Sequence, residues 1–157
     1  MNSLMFQNKV IQVFTVTVLI IVLASCENKI ESINYGQDEC AFCTMRISDD
    51  KYSGTIVTVE GELHKFDSIE CLTDFALVMN YVDDMEHSFM ISDYNSPGSF
   101  IDARKSMFVH NNNFPSPMGL NVMAFDSKEN AAKFLNENGG EQLSWIDVID
   151  LVGKRSE

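Results

Sequence analysis

Lys65-Phe66-Asp67-Ser68-Ile69-Glu70 and Ala124-Phe125-Asp126-Ser127-Lys128-Glu129 carry one short pattern twice, displaced by 59 residues. Phe75 and Phe134 keep the same displacement. In each copy Asp and Ser offer oxygens for a helix N-cap, and a Glu three residues after the Asp has capping-box spacing. Apolar residues then recur at helical intervals, as Ile69, Leu72, Phe75, Ala76 and Met79, and as Ala131, Phe134 and Leu135. Asn138-Gly139-Gly140 ends the second helix. Strand-like sequence precedes each helix. Residues 53–59 and 62–66 flank a turn at Glu60-Gly61, and residues 106–110 and 121–125 flank an Asn- and Pro-rich loop. Between the halves, residues 88–94 and 99–104 read as two strands around a turn at 95–98, and residues 145–151 as a final strand or short helix. The fold class is therefore α+β: two pseudo-symmetric strand-strand-helix (ββα) units packed as one small domain. They cover 38–85 and 106–157, with linking strands over 86–105.

The N-terminus has a different character. Residues 10–23 form an apolar run of 14, interrupted by Gln12, Thr15 and Thr17 and preceded by Lys9 as the only charge. A spanning helix needs about 20 apolar residues, so this run has the length of a signal-peptide core. It leads into Leu23-Ala24-Ser25-Cys26, small residues followed by a thiol that lipoprotein processing can alkylate. We expect a lipoprotein signal peptide over 1–25, a lipidated Cys26, a polar tether over 26–37, and a domain over 38–157. That places the chain in the bacterial cell envelope, facing the periplasm and attached to the membrane through lipid. An uncleaved anchor with an incidental cysteine is the alternative. Each buried methylene of an acyl chain contributes about 0.8 kcal/mol, and more than one chain makes attachment stable.

The chain carries 23 acidic and 11 basic residues, a net charge of −12. Loss of residues 1–25 removes one lysine and no acid, giving −13. This charge argues against nucleic acid and anionic membrane surfaces as partners, because basic residues drive such binding. With Cys26 lipidated, Cys40, Cys43 and Cys71 remain, so at most one internal disulfide can form. No GxSxG, HExxH, Walker or dinucleotide motif supports an enzyme.

Cys40-Ala41-Phe42-Cys43-Thr44-Met45 places three sulfur donors within six residues. Thiolate and thioether together select Cu(I), which accepts the two or three ligands a short loop can offer. Cys43 and Met45, one residue apart, can close on one ion, with Cys40 as a further candidate. Two alternatives stay open: Cys40–Cys43 as a disulfide or thiol-disulfide redox pair, and a tetrahedral zinc module built from Cys40, Cys43, His64 and Cys71. Met45 can also be a core residue. A second sulfur donor, Met118, lies in Phe114-Pro115-Ser116-Pro117-Met118-Gly119, where prolines stiffen the loop and glycine permits a tight turn. Should the two sulfur loops hold related positions before the two units, they face each other and complete a Cys-Met-Met site. Met79, Met90, Met107 and Met123 read as core, and Met85, among acids, as surface. His64, His87 and His110 read as structural. Cys71 reads as a small buried residue, a ligand or a disulfide partner. Asp67, Glu70, Asp126 and Glu129 read as caps rather than acid–base pairs.

In this order the motifs resemble the NosL family of nitrous oxide reductase accessory lipoproteins. The likeness rests on Cys26, residues 39–45 (against a family C-x-x-C-G-M), Phe66-Asp67-Ser68, Ile91-Ser92-Asp93-Tyr94, Ile101-Asp102-Ala103, and Ser116-Pro117-Met118-Gly119 followed by Ala124-Phe125. The resemblance implies a Cu(I)-binding metallochaperone that supplies the copper centres of nitrous oxide reductase, and a fold related to part of the organomercurial lyase. By position it implies Cys43, Met45 and Met118 as ligands. Its partners would be a copper-receiving client and a copper-exporting transporter. Thr44 stands where the family has Gly, which restricts backbone with positive φ.

Overall fold

The computed structural model describes residues 32–155. The signal segment 1–25 and Cys26 lie outside the described residues, as does the tether up to residue 31.

Among the described residues, ten elements follow in chain order: β1 Gly54–Val57, β2 Leu63–Phe66, α1 Ile69–Val78, β3 Ser88–Asp93, β4 Ser96–Asp102, β5 Met107–His110, β6 Val122–Phe125, α2 Lys128–Asn138, β7 Glu141–Leu143 and α3 Trp145–Arg155. The strands make two antiparallel sheets, β2-β1-β3-β4 and β6-β5-β7. Each half of the chain thus forms a hairpin followed by a helix, and the first strand of each hairpin also pairs with a third strand. Both helices begin on the repeated serine. Ser68 and Ser127 are the N-caps, their hydroxyls accepting from the backbone N–H groups of Cys71 and Asn130. The capping-box expectation for the carboxylates is overturned: with serine as N-cap, Glu70 and Glu129 fall one position short of the site from which a box closes.

Pairing registers show where the halves diverge. Gly54 pairs with Phe66, and Met107 with Phe125, so the displacement falls from 59 to 53 between the second strand and the first. The six extra residues lie in the β5–β6 loop, residues 111–121, against 58–62 in the β1–β2 turn. Met118 is therefore on a hairpin loop, whereas Cys43 precedes the first hairpin. The expectation that the two sulfur loops hold related positions fails for that reason.

Other differences are local. The β3–β4 turn is Tyr94-Asn95, and the register shifts between Ser92 and Asp93. Residues 145–151 are helical, because Ser144 and Asp147 bond reciprocally at the start of α3 and Trp145, Val148 and Val152 face the core. β7 has three residues and no apolar alternation, so no sequence signal marked it. Packed chain also begins earlier than residue 38. Ile33 is buried in the core, and the Tyr35 hydroxyl lies 2.8 Å from Ser53 Oγ.

Alternation within β5 and β6 divides the interior. Phe108, Val122 and Ala124 join a main core with Ile56, Phe66, Leu72, Phe89, Trp145 and Val148. Val109, Met123 and Phe125 point the other way, onto Ala131 and Phe134 of α2. The main core carries α1 against the first sheet, and at Gly54 there is no room for a side chain between them. A Cβ there would lie 2.6 Å from Leu72 Cδ1 and 2.9 Å from the Met90 carbonyl oxygen. Gly54→Ala should lower stability by about 1–3 kcal/mol through overpacking. An unchanged midpoint in urea unfolding would contradict this packing.

Candidate metal centre

The sulfur-bearing loop is held rigidly. Glu39 and Arg46 form an antiparallel bridge, Cys40 N–H donates to the Met45 carbonyl (2.8 Å), and Thr44 N–H donates to the Cys40 carbonyl (3.0 Å). This turn requires Thr44 at φ +61°, the left-handed region a glycine occupies without strain. The loop docks on β2, where Ala41 N–H donates to the Lys65 carbonyl and Lys65 Nζ lies 2.8 Å from Asp38 Oδ2.

That docking brings Cys40 and Cys43 to the start of α1. Their sulfurs, the Cys71 sulfur and an Asp67 carboxylate oxygen all lie within 4.8 Å of one another. Cys40, Asp67 and Cys71 are buried and Cys43 is half-buried, and all three cysteines are free thiols. Cys43 Sγ donates to Asp67 Oδ2 at 3.5 Å, while Asp67 Oδ1 is buried without a hydrogen-bond partner. A buried carboxylate oxygen left unpaired costs free energy unless a cation or proton meets it. Three soft sulfurs and that oxygen fit a soft or borderline metal ion.

The structure corrects the zinc grouping, because Asp67 and not His64 is the fourth clustered donor. His64 lies on β2 with its ring 4.8 Å from Phe75 and its Nε2 3.7 Å from Glu62. Met45 is 47% exposed at the loop edge, and Met118 is half-buried against the main core, as is Cys43. Met123 is buried as expected, but Met79 is 45% exposed because it is the C-cap of α1.

The two repeat copies use the same residues differently. In the second, Asp126 accepts from Asn130 at the surface and Glu129 is exposed. In the first, Asp67 turns to Cys43, and Glu70 is fully buried. Glu70 Oε1 accepts from Ser116 Oγ and from Leu120 N–H (2.9 Å), so it holds both ends of the Met118 loop. Sequence reasoning missed Asp67 and Glu70. The signal available was Cys71 at the position of Asn130, which sets a thiol in the first copy where the second has an amide.

The thiols do not titrate alike. The hydrogen bond Cys71 gives to Cys40 pulls the Cys40 thiol down from its ordinary 9.0 to about 6. Burial pushes Cys43 up to about 11. The bond to Cys40, then burial, raises Cys71 further. Cys40 thus adds stability that is fully present above pH 9 and is lost as pH falls through about 6. Cys43 adds stability present below pH 9 and lost as pH rises through about 11. Ultraviolet thiolate absorbance of the metal-free chain, with Cys26→Ser, should show one step near pH 6 and the next only near 11. All thiols ionising together near 9 would contradict the coupling.

Residues 33–152 match the NosL family. No curated protein matches the chain. Among solved structures, the copper chaperone NosL from Shewanella denitrificans superposes with a TM-score of 0.60 at 24% identity, covering 75% of this chain and 91% of that one.

Proposed function

We propose, from the premise that this chain belongs to the NosL family, that it carries Cu(I) as cargo on its thiol cluster and passes it to a client. The observation behind this reading is the buried cluster of Cys40, Cys43, Cys71 and Asp67. Cys43, the half-exposed member, is the ligand an acceptor reaches first, and Cys40 and Cys71 back it from inside. The Met45 and Met118 thioethers serve as labile ligands beside Cys43 in place of the inner thiols and leave one at a time, since an uncharged sulfur holds Cu(I) less strongly than a thiolate. Buried Cys40 is poorly placed to attack a protein disulfide, which disfavours the redox reading. The carboxylate supports a second reading, a Cys3Asp zinc site.

In this proposal Cys26 bears the lipid, the domain faces the periplasm, the copper donor is an exporting transporter, and the client is nitrous oxide reductase. Ile33, which is buried, lies seven residues beyond Cys26. That span reaches at most about 25 Å, so the cargo stays close to the membrane. The test uses the full-length Cys26→Ser chain in detergent, titrated anaerobically with Cu(I) against a chromogenic chelator. One Cu(I) per chain is expected. A purified chain that holds one zinc and leaves all Cu(I) with the chelator would favour the second reading.

A further inference from the structure

We propose that Arg155 is a positioning residue for Met118, tying the tip of its loop to α1 through the C-terminal turn of α3. The proposal rests on the copper reading above. Glu70 holds the two ends of the loop, at Ser116 and Leu120. The tip is held separately: Arg155 Nη1 donates to the Met118 carbonyl (3.3 Å) while Nη2 donates to Asp74 Oδ2 (2.8 Å).

Glu70 and Asp74 are one helical turn apart on α1, with Cys71 between them in sequence. The helix that supplies a clustered thiol thus also mounts the Met118 loop. The Asp74 side chain is only 11% exposed, so its charge is substantially desolvated and holds the guanidinium firmly. A planar guanidinium reaches a carboxylate and a carbonyl from two separate nitrogens, whereas an ammonium has a single nitrogen to place between them. The other end of α3 is fixed by Trp145 and Val148 in the main core. Arg155, 35% exposed, is the accessible part of this clasp, and its release frees the thioether while the loop ends stay in place.

A double-mutant cycle in the full-length Cys26→Ser chain tests this. Arg155→Ala and Met118→Leu should each weaken Cu(I) binding by about tenfold, and the double variant should weaken it no further. Arg155→Lys should keep the thermal midpoint of the parent, through its ion pair with Asp74, yet lose affinity as Arg155→Ala does. Additive losses, or an Arg155→Ala chain with unchanged affinity, overturn the proposal, as does full rescue of affinity by lysine. The Met118 methyl resonance of the metal-free chain separates this idea from the copper reading. Arg155→Ala should move it toward its unfolded position while the buried Met123 methyl stays put, and an unmoved Met118 resonance refutes the clasp. If it moves but the parent binds no Cu(I), the copper reading fails, and the assigned role of Arg155 fails with it.

Discussion

Glu70→Ala should lower the stability of the chain by about 3 kcal/mol and unfix the Met118 loop. The carboxylate is fully buried, and one of its oxygens accepts from both Ser116 Oγ and Leu120 N–H. Truncation leaves both donors buried and unpaired, at about 1–3 kcal/mol each, together with a small cavity. Glu70→Gln is the informative control. It keeps the accepting oxygen and places an amide where Oε2 has no partner, so its cost should be about 1 kcal/mol. Urea unfolding measures both, and amide exchange at Leu120 reports the loop directly. Equal stability of Glu70→Ala and the parent would mean that the carboxylate does not hold the loop.

Most of the architecture was legible because it rests on local rules. The Asp-Ser start of each helix, the apolar spacing after it and the turn at Glu60-Gly61 all act within a few residues, and α1, α2, β1, β2, β5 and β6 follow from them. β7 was not legible, since three residues without alternation gain their strand identity only by pairing with β5. The start of α3 was legible in principle from Ser144 and Asp147. Within the site, Cys40 and Cys43 were visible as a motif, but Asp67 looked identical to Asp126. Only the fold shows one turned toward sulfur and the other toward solvent. The six-residue lengthening of the β5–β6 loop was hidden as well. The repeat is clear in the second strand and helix, while the first strand has no sequence echo to reveal the shift.

Cys43→Ser should weaken Cu(I) binding by about a hundredfold, or about 3 kcal/mol. The change leaves volume nearly constant, keeps a donor for Asp67 Oδ2, and removes the one half-exposed thiol of the cluster, which becomes a soft anion on giving up its proton to the metal. A hydroxyl is a hard donor and does not ionise at working pH, so neither charge nor softness is replaced. Met45→Leu should cost less, because a thioether contributes no charge and Met45 lies at the exposed edge of the loop. The deciding measurement is anaerobic Cu(I) competition on the Cys26→Ser chain with and without Cys43→Ser. One tightly held Cu(I) is expected in the first and a loss of about a hundredfold in the second. Affinities equal within about threefold, a difference under about 0.7 kcal/mol, would contradict Cys43 as a ligand.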